Sequence, residues 1–381
     1  MTDRGTQIRV LALSPIPEEG AGCRFRISQF VPYLESHGFD VTVVPLFTTE
    51  FFRLVYKPGR LVQKAVAFAG LSLKRLASLR RLSDYDIIFI YRELFPIGPA
   101  MVERLIAMRA PPPIVFDFDD AIFLPSVSEA NRLIAALKCP GKVGSIIRHC
   151  DHVIAGNDFL ASYARRFNDA VTTIPTSVDT TKFVPRDDRT AEAPAAGLPI
   201  VGWIGSPTTV PYIRGLSTVL QRVAERRAFV LRLSGAGEVL TIPRVTVENP
   251  TWTLDREIAL FNTCDVGVYP LDDDEWSKGK CGFKAIEFMA CGVPVVAAAV
   301  GVNRDIIQDG VNGFLATTAD EWVHKVGRLL AEPGLRRAFS AAGRRTIEER
   351  YSLAVNAPKL AATLRLVAEK RTGDRQWSAR P

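Results

Sequence analysis

Trp276-Ser-Lys-Gly-Lys-Cys-Gly-Phe-Lys-Ala-Ile-Glu-Phe-Met-Ala-Cys-Gly-Val-Pro-Val-Val-Ala297 is the stretch of this 381-residue chain that says most about its fold. A glycine-containing loop runs into a short apolar helix, Gly292 ends that helix, and an uncharged β-branched run follows as a buried strand. The start of the helix, near Gly282, presents N–H groups and the positive end of its dipole to an anion. Lys278, Lys280 and Lys284 crowd the same end, although the dipole alone favours cations at the other. A bound diphosphate resolves that conflict. The alternative is a solvated basic loop, against which the glycines and the following strand weigh. Glu287 lies one turn further on, among Ala285, Ile286, Phe288 and Met289. It either faces water or is aimed at a ligand, and a carboxylate accepts both hydroxyls of a ribose diol well.

Outward from this stretch, apolar β-branched runs alternate with helical patterns. Strands are expected at 8–15, 40–47, 86–91, 113–117, 152–155 and 171–174, several of them apolar on both faces as in a covered parallel sheet. Helices are expected at 24–37, 101–109, 129–137 and 158–167. Residues 186–198, rich in Ala, Pro and charge, read as a linker. The alternation then restarts, with strands at 199–204, 229–234, 245–247, 266–270, 293–298 and 314–316. Helical patterns fall at 210–226, 254–262, 282–291, 321–330 and 335–351. The prediction is an α/β protein of two doubly wound Rossmann-like domains facing across a cleft, at 1–185 and 199–352. A final helix from 353 packs back on the first domain and ends in a loose tail. Ligands of such sheets bind beyond the carboxyl ends of the strands.

Residues 279–296 resemble the donor-binding motif of the glycosyltransferase family 4 group of GT-B enzymes, E-G-F-G-x-P-x-x-E followed by M-A-x-G-x-P-V-V. Gly282 and Glu287 match the inner Gly and second Glu, and Met289, Ala290, Gly292, Pro294, Val295 and Val296 match the rest. Ile174-Pro-Thr-Ser-Val-Asp-Thr-Thr-Lys-Phe183 is similar to the family's I-P-N-G-V-D-x-x-x-F, and Asp309-Gly-Val-Asn-Gly-Phe-Leu315 to its D-G-x-N-G-x-L. The resemblance runs from about residue 150 to 350 and is weak before it. It implies that Glu287 holds the donor ribose and that the amides at Gly282 and Phe283 hold the diphosphate. It also implies retention of anomeric configuration. Two positions depart from the pattern: Gly279 stands where the first Glu belongs, and Lys284 where the Pro belongs. The first Glu is linked to the donor sugar in the family, so its loss bears on donor identity, with Asp274 and Glu275 as nearby acids. Lys280 and Lys284 are candidates to neutralise the diphosphate.

Gly202-Trp-Ile-Gly-Ser-Pro-Thr-Thr209 is a strand followed by a Gly/Ser/Thr turn, so Gly205 and Ser206 are candidates to line the leaving-group pocket, and Arg214 to supply a cation there. A structural turn and a surface helix arginine are the plain alternatives. In the first domain, Glu19-Gly-Ala-Gly-Cys-Arg-Phe-Arg26 is not a G-x-G-x-x-G fingerprint. Its place at a strand end nevertheless makes Gly22, Arg24 and Arg26 candidate acceptor-side residues, with helix-surface arginines as the alternative. Asp117-Phe-Asp-Asp120 puts three carboxylates at a strand end; capping and backbone contacts are preferred to a metal site, and Asp120 is a candidate for a sugar hydroxyl. Asn157 is expected to cap the next helix from the same cleft. His149 and His152 read as core or boundary residues.

The composition excludes disordered and fibrous classes, with 47% hydrophobic and 23% charged residues. Six Cys without a C-x-x-C pair argue against a disulfide framework or structural zinc. The net charge of +7 is local: residues 51–82 hold eight cations and no acid, and the remainder is balanced at 40 basic against 41 acidic residues. Apolar residues interleave those cations, which suits an anionic membrane surface; no nucleic-acid motif accompanies them. No signal peptide or spanning segment is evident, so the expected location is cytoplasmic, at the inner face of a membrane. The expected activity is transfer of a sugar from a nucleotide-sugar donor to a hydroxyl of a glycan or lipid-linked acceptor in polysaccharide synthesis, without cofactor or metal. Lys280, Lys284 and Arg214 would meet the charge developing on the leaving diphosphate. The rivals are a nucleotide-sugar epimerase of the same fold and a non-catalytic nucleotide-sugar-binding partner protein.

Overall fold

The structure is a computed structural model, describing residues 7–55, 57, 59–109, 112–125, 138–186 and 197–378, the last nine for backbone course alone. The chain forms two compact units. The first runs to Thr176 and takes up the chain again from Asn356; the second is Ser177–Val355.

The first unit is built on β1 (Ile8–Ser14), β2 (Phe39–Pro45), β3 (Ile87–Tyr91), β4 (Ile114–Phe118), β5 (His152–Ala155) and β6 (Val171–Thr173), in the order β2-β1-β3-β4-β5-β6. Every pairing is parallel. β3, β4 and β5 are buried at each position, which is why their sequences are apolar on both faces apart from Asp117 and His152. The second unit repeats the design with β7 (Ile200–Ile204), β8 (Val230–Ser234), β9 (Thr246–Glu248), β10 (Val266–Tyr269), β11 (Val295–Ala298) and β12 (Phe314–Ala316), ordered β12-β11-β10-β7-β8-β9 and again parallel. All twelve expected strands are present. The winding reverses between β1 and β3 in one sheet and between β7 and β10 in the other, and ligands of such sheets bind at these switch points, beyond the carboxyl ends of the strands.

The helices used below are α1 (Ala21–Arg26), α2 (Thr49–Val55), α3 (Leu61–Ser78), α4 (Asp158–Ala164), α5 (Val210–Gly215), α6 (Glu275–Lys278), α7 (Phe283–Ala290), α8 (Asn303–Ile306) and α9 (Leu353–Ser378). Several long helical patterns are broken. The pattern at 24–37 is interrupted at Ile27, whose φ of −128° and ψ of −70° leave the helical region, and a new helix starts with Pro32 in its first turn. The 210–226 pattern breaks after Gly215, and the 335–351 pattern closes in a π turn at Ile347–Tyr351. The helix expected at 129–137 lies outside the described residues.

The division between units falls at Thr176, ahead of the expected linker at 186–198, of which 187–196 lie outside the described residues. Residues before that linker are already bound to the second unit. Val178 bridges to Ser352, the Phe183 ring lies 6.3 Å from that of Phe261, and Arg186 bonds to Asp265 at 3.3 Å. In the first unit, Arg365 of α9 donates to the His37 carbonyl at 2.5 Å and lies over the Phe39 ring. The backbone is helical to Ser378, through most of the stretch expected to be a loose tail.

Two glycines set close packing in this sheet, Gly202 against Cys264 ahead of β10 and Gly267 against α7. A Cβ on Gly202 would overlap the Cys264 sulfur, and one on Gly267 would lie 2.7 Å from the Phe288 ring. Phe288 of α7 therefore lies directly on β10. Gly267→Ala is expected to cost about 1–3 kcal/mol by overpacking, read as a fall of several degrees in melting temperature. Gly327→Ala, at a helical position with nothing within 4 Å, should hold or raise it. Equal falls in both would contradict this packing.

Candidate functional site

In the second unit the crevice between β7 and β10 is bordered by two loops. Beyond β7, Gly205 donates to the Ser234 carbonyl at 3.0 Å, and Gly235, at φ +80°, abuts the Gly205 carbonyl. The Ser206 amide donates to Thr209 Oγ1 at 3.0 Å, and the Ser206 and Thr208 hydroxyls are 2.8 Å apart. This turn is tied together by its own hydroxyls, as in the structural-turn reading. Arg214, in the last turn of α5, pairs with Glu238 in solvent, both being about half exposed.

Beyond β10, Asp274 caps α6 by accepting from the Ser277 amide at 2.7 Å, and Glu275 pairs with Lys278 at 2.8 Å. Both acids considered for sugar contacts thus have local roles. The Tyr212 and Ser277 hydroxyls, 3.4 Å apart, join α5 to α6. Lys280 lies over the Trp276 ring, 5.6 Å from its centroid. Gly282 precedes α7 in the left-handed region, at φ +64° and ψ +19°. A Cβ there would overlap Ile306 and sit 3.1 Å from Asn303 Oδ1, so both conformation and space require glycine. Gly282, at the N-cap, brings no side chain of its own to the first turn of α7.

Lys284 and Glu287 are brought together by their i,i+3 spacing. Lys284 Nζ donates to Glu287 Oε2 at 2.6 Å, with Glu287 wholly buried and Lys284 24% exposed. Lys284 also lies 5.4 Å from the Phe261 ring centroid. The structure thus departs from a wet-face position for Glu287, and Lys284 points along α7 toward that carboxylate. A buried carboxylate is costly unless paired, and Lys284 supplies the counter-charge. Burial raises the Cys264 thiol to about 12, which makes it a poor nucleophile.

In the first unit the crevice lies between β1 and β3. A Cβ on Gly22 would overlap the Tyr91 hydroxyl, so α1 packs directly on the end of β3. Tyr91 donates to Asp119 Oδ1 at 2.8 Å, Arg92 donates to the same oxygen at 3.0 Å, and Arg92 also pairs with Asp120. Arg26 is 3% exposed: it holds Asp117 through a two-point ion pair, one arm at 2.9 Å, and reaches the Ile174 carbonyl at 2.8 Å. It is neither a helix-surface arginine nor open to the crevice. Arg24 lies over the Phe25 ring. Asn157 caps α4, accepting from the Leu160 amide at 2.9 Å. His152 is buried against the Thr172 hydroxyl and His149 bonds to the Ser145 carbonyl. Among the described residues no cluster of His, Cys, Asp or Glu could hold a metal ion, and each carboxylate of Asp117–Asp120 has an arginine partner.

Gly22 and Asp120 are thus joined by Tyr91, Arg92 and Asp119, of which Tyr91 and Arg92 escaped the sequence reading. Their signal was positional, at the carboxyl end of a fully apolar strand beside the switch point. Burial pushes the Asp119 carboxyl upward, but Arg92, Arg26 and the Tyr91 hydroxyl outweigh it and hold the group below its ordinary value. The second unit has a helix start with glycine at the N-cap, of the kind that suits an anion. The first offers carboxylates to hydroxyl groups.

Known proteins share sequence features and the fold with this chain. Residues 198–332 match the family model described as glycosyl transferases group 1. A D-inositol 3-phosphate glycosyltransferase from Salinispora arenicola is 30% identical over 250 residues, which are 58% of this chain and 51% of that protein. The chain spans about half the length, or less, of the curated relatives it matches. Among solved structures, sucrose-phosphate synthase from Thermosynechococcus elongatus superposes with a TM-score of 0.70 at 18% identity, covering 95% of this chain and 99% of that one. HepE from Anabaena in complex with UDP-glucose gives 0.64 at 17%, covering 94% and 99%. The fold is that of GT-B glycosyltransferases.

Because the Asp119 carboxyl is depressed in the folded chain, its contribution to stability is present above the unfolded aspartate value of about 3.9 and is lost as pH falls through the folded value. Denaturant titrations of the wild type and Asp119→Asn should differ most at neutral pH and converge in acid. A pH-independent gap would contradict the assignment.

Proposed function

We propose that the protein transfers a sugar from a nucleoside diphosphate donor to an acceptor hydroxyl, a reading supported by the match of residues 198–332 to the glycosyl transferases group 1 model and by the GT-B fold. The observation that carries this reading is the start of α7, fixed by left-handed Gly282 at the carboxyl end of β10 beside the β7 turn. There the amides at Gly282 and Phe283 and the positive end of the helix dipole receive the diphosphate, with the Lys280 ammonium on the same loop. As the bond between the anomeric carbon and the diphosphate oxygen breaks, these fixed donors meet the charge that develops on the leaving group. Glu287 takes the ribose hydroxyls. Because Lys284 already holds that carboxylate at 2.6 Å, ribose binding shares or displaces the ammonium. Arg214, engaged with Glu238, would have to exchange partners to contribute.

Uridine diphosphate sugars are the first donors to try, since HepE was solved with UDP-glucose. The reaction is read as retaining, in keeping with the family resemblance. The acceptor is received by the first unit, where Asp119 and Asp120 face the β1–β3 switch point, and its class is a glycan or lipid-linked saccharide. One observation favours a second reading. Gly279 brings no carboxylate to the position of the family's first Glu, and Asp274 and Glu275 are engaged in a cap and an ion pair. A non-catalytic nucleotide-sugar-binding protein would look the same.

Uridine diphosphate at one hundred times its Kd should stabilise the fold by about 2.7 kcal/mol in thermal denaturation. Glu287→Gln, checked for an intact melting transition, should lower donor kcat/KM by about ten-fold or more through a lost charged hydrogen bond. Normal turnover by that variant would remove the ribose assignment. Donor binding without release of free nucleotide in any acceptor mixture would favour the non-catalytic reading.

A further inference from the structure

Residues 51–82, with their eight cations and no acid, fold largely into α2 and α3. One side of α3 is turned to the rest of the unit, through half-buried Phe68 and buried Arg75. Phe68 lies 6.2 Å from the Phe47 ring and 6.5 Å from the Phe51 ring. Arg75, 3% exposed, donates to the Ser14 and Val44 carbonyls at 2.9 Å, fastening the helix to the carboxyl ends of β1 and β2.

The outer face is apolar as well. Val62, Val66, Leu73 and Leu76 are 79%, 69%, 68% and 43% exposed. Together with Ala65, Ala69 and Ala77 they fall, at 3.6 residues per turn, within an arc of about 120° that holds no charged residue. A soluble helix ordinarily turns its polar face outward, so a continuous apolar arc in this position marks a contact surface.

The surroundings select its partner. Lys57 and Arg60 stand exposed at one end of the arc, Arg80 and Arg81 at the other, and Lys74 just beyond its edge. None of these five pairs with a carboxylate among the described residues. A second copy of the chain docked face to face would bring these cations against their own counterparts. No described helix is long and apolar enough to cross a membrane. We propose that α3 lies in the interface of an anionic lipid bilayer, its Val62–Leu76 arc among the acyl chains and the flanking cations on the lipid phosphates. The contact is independent of the sugar-transfer reading.

The test is co-sedimentation of the full chain with vesicles of equal parts phosphatidylglycerol and phosphatidylcholine, and with phosphatidylcholine alone. Binding to the anionic vesicles should be about ten-fold or more the tighter, and should weaken in about 0.5 M salt. The double substitution Val66→Glu and Leu73→Glu should lower it at least about ten-fold at an unchanged melting temperature. Lys74→Gln with Arg80→Gln and Arg81→Gln should weaken only the anionic binding. Failure of the wild type to bind anionic vesicles would overturn the proposal. So would wild-type binding by the double variant, or a solution dimer that this variant dissociates. Stabilisation by uridine diphosphate, measured on the same samples, reports separately on the donor site.

Discussion

A helix can offer its first amides to a ligand only where its starting point is fixed, and in the second unit that point is fixed by steric exclusion. Gly282 sits at a left-handed angle and against Ile306, where no Cβ fits. One turn and a half later Phe288 rests on the bare backbone of Gly267 in β10. On the other side a Cβ at Gly301 would approach the Lys278 backbone to 2.9 Å, so the lysine loop is also held down. These contacts leave α7 one place to begin, beside the end of the adjacent strand β7. The reading of the second unit as a diphosphate site depends on that constraint more than on any single charge.

Charge is arranged differently in the two units. In the first, Arg26 and Arg92 are matched to Asp117, Asp119 and Asp120 within hydrogen-bonding distance, and the first of these pairs is sealed from water. Breaking such a buried pair costs about 3–5 kcal/mol, so these arginines act first on architecture. In the second, Lys280 is poised over Trp276, and Lys284 is held by a carboxylate that a ribose would need. The substitution of Lys284 for the proline of the family pattern thus gives Glu287 an internal counter-charge. In the proposed reading, donor binding would change the protein most at that pair.

Much of this architecture was legible because parallel strands covered on both faces are apolar nearly throughout, and β3, β7 and β11 announce themselves in that way; β2, β6 and β9, partly exposed at the sheet edges, carry polar residues and rest on their β-branched content and flanking turns. Helix continuity was less so: the pattern across Ile27 survives a break that only backbone angles reveal, with Pro32 and Gly215 the local clues. At the candidate site, Gly282 was visible as a turn before a helix. The burial of Glu287 was not, since i,i+3 spacing permits a pair without saying whether water reaches it. Arg26 points inward because Asp117, ninety-one residues away, waits at the end of β4, a partnership that composition cannot express. Likewise the basic segment was plain in the sequence, while the face on which α3 exposes its valines and leucines appears only once Phe68 and Arg75 show which side is inside.

The most direct test of the account is a crystal structure of the protein with uridine diphosphate. The account predicts the diphosphate against the amides of Gly282 and Phe283, with the ribose at Glu287 and Lys284 drawn away from its present bond. A diphosphate seated instead at the Gly20–Gly22 turn of the first unit, with the Lys284–Glu287 pair undisturbed, would contradict it.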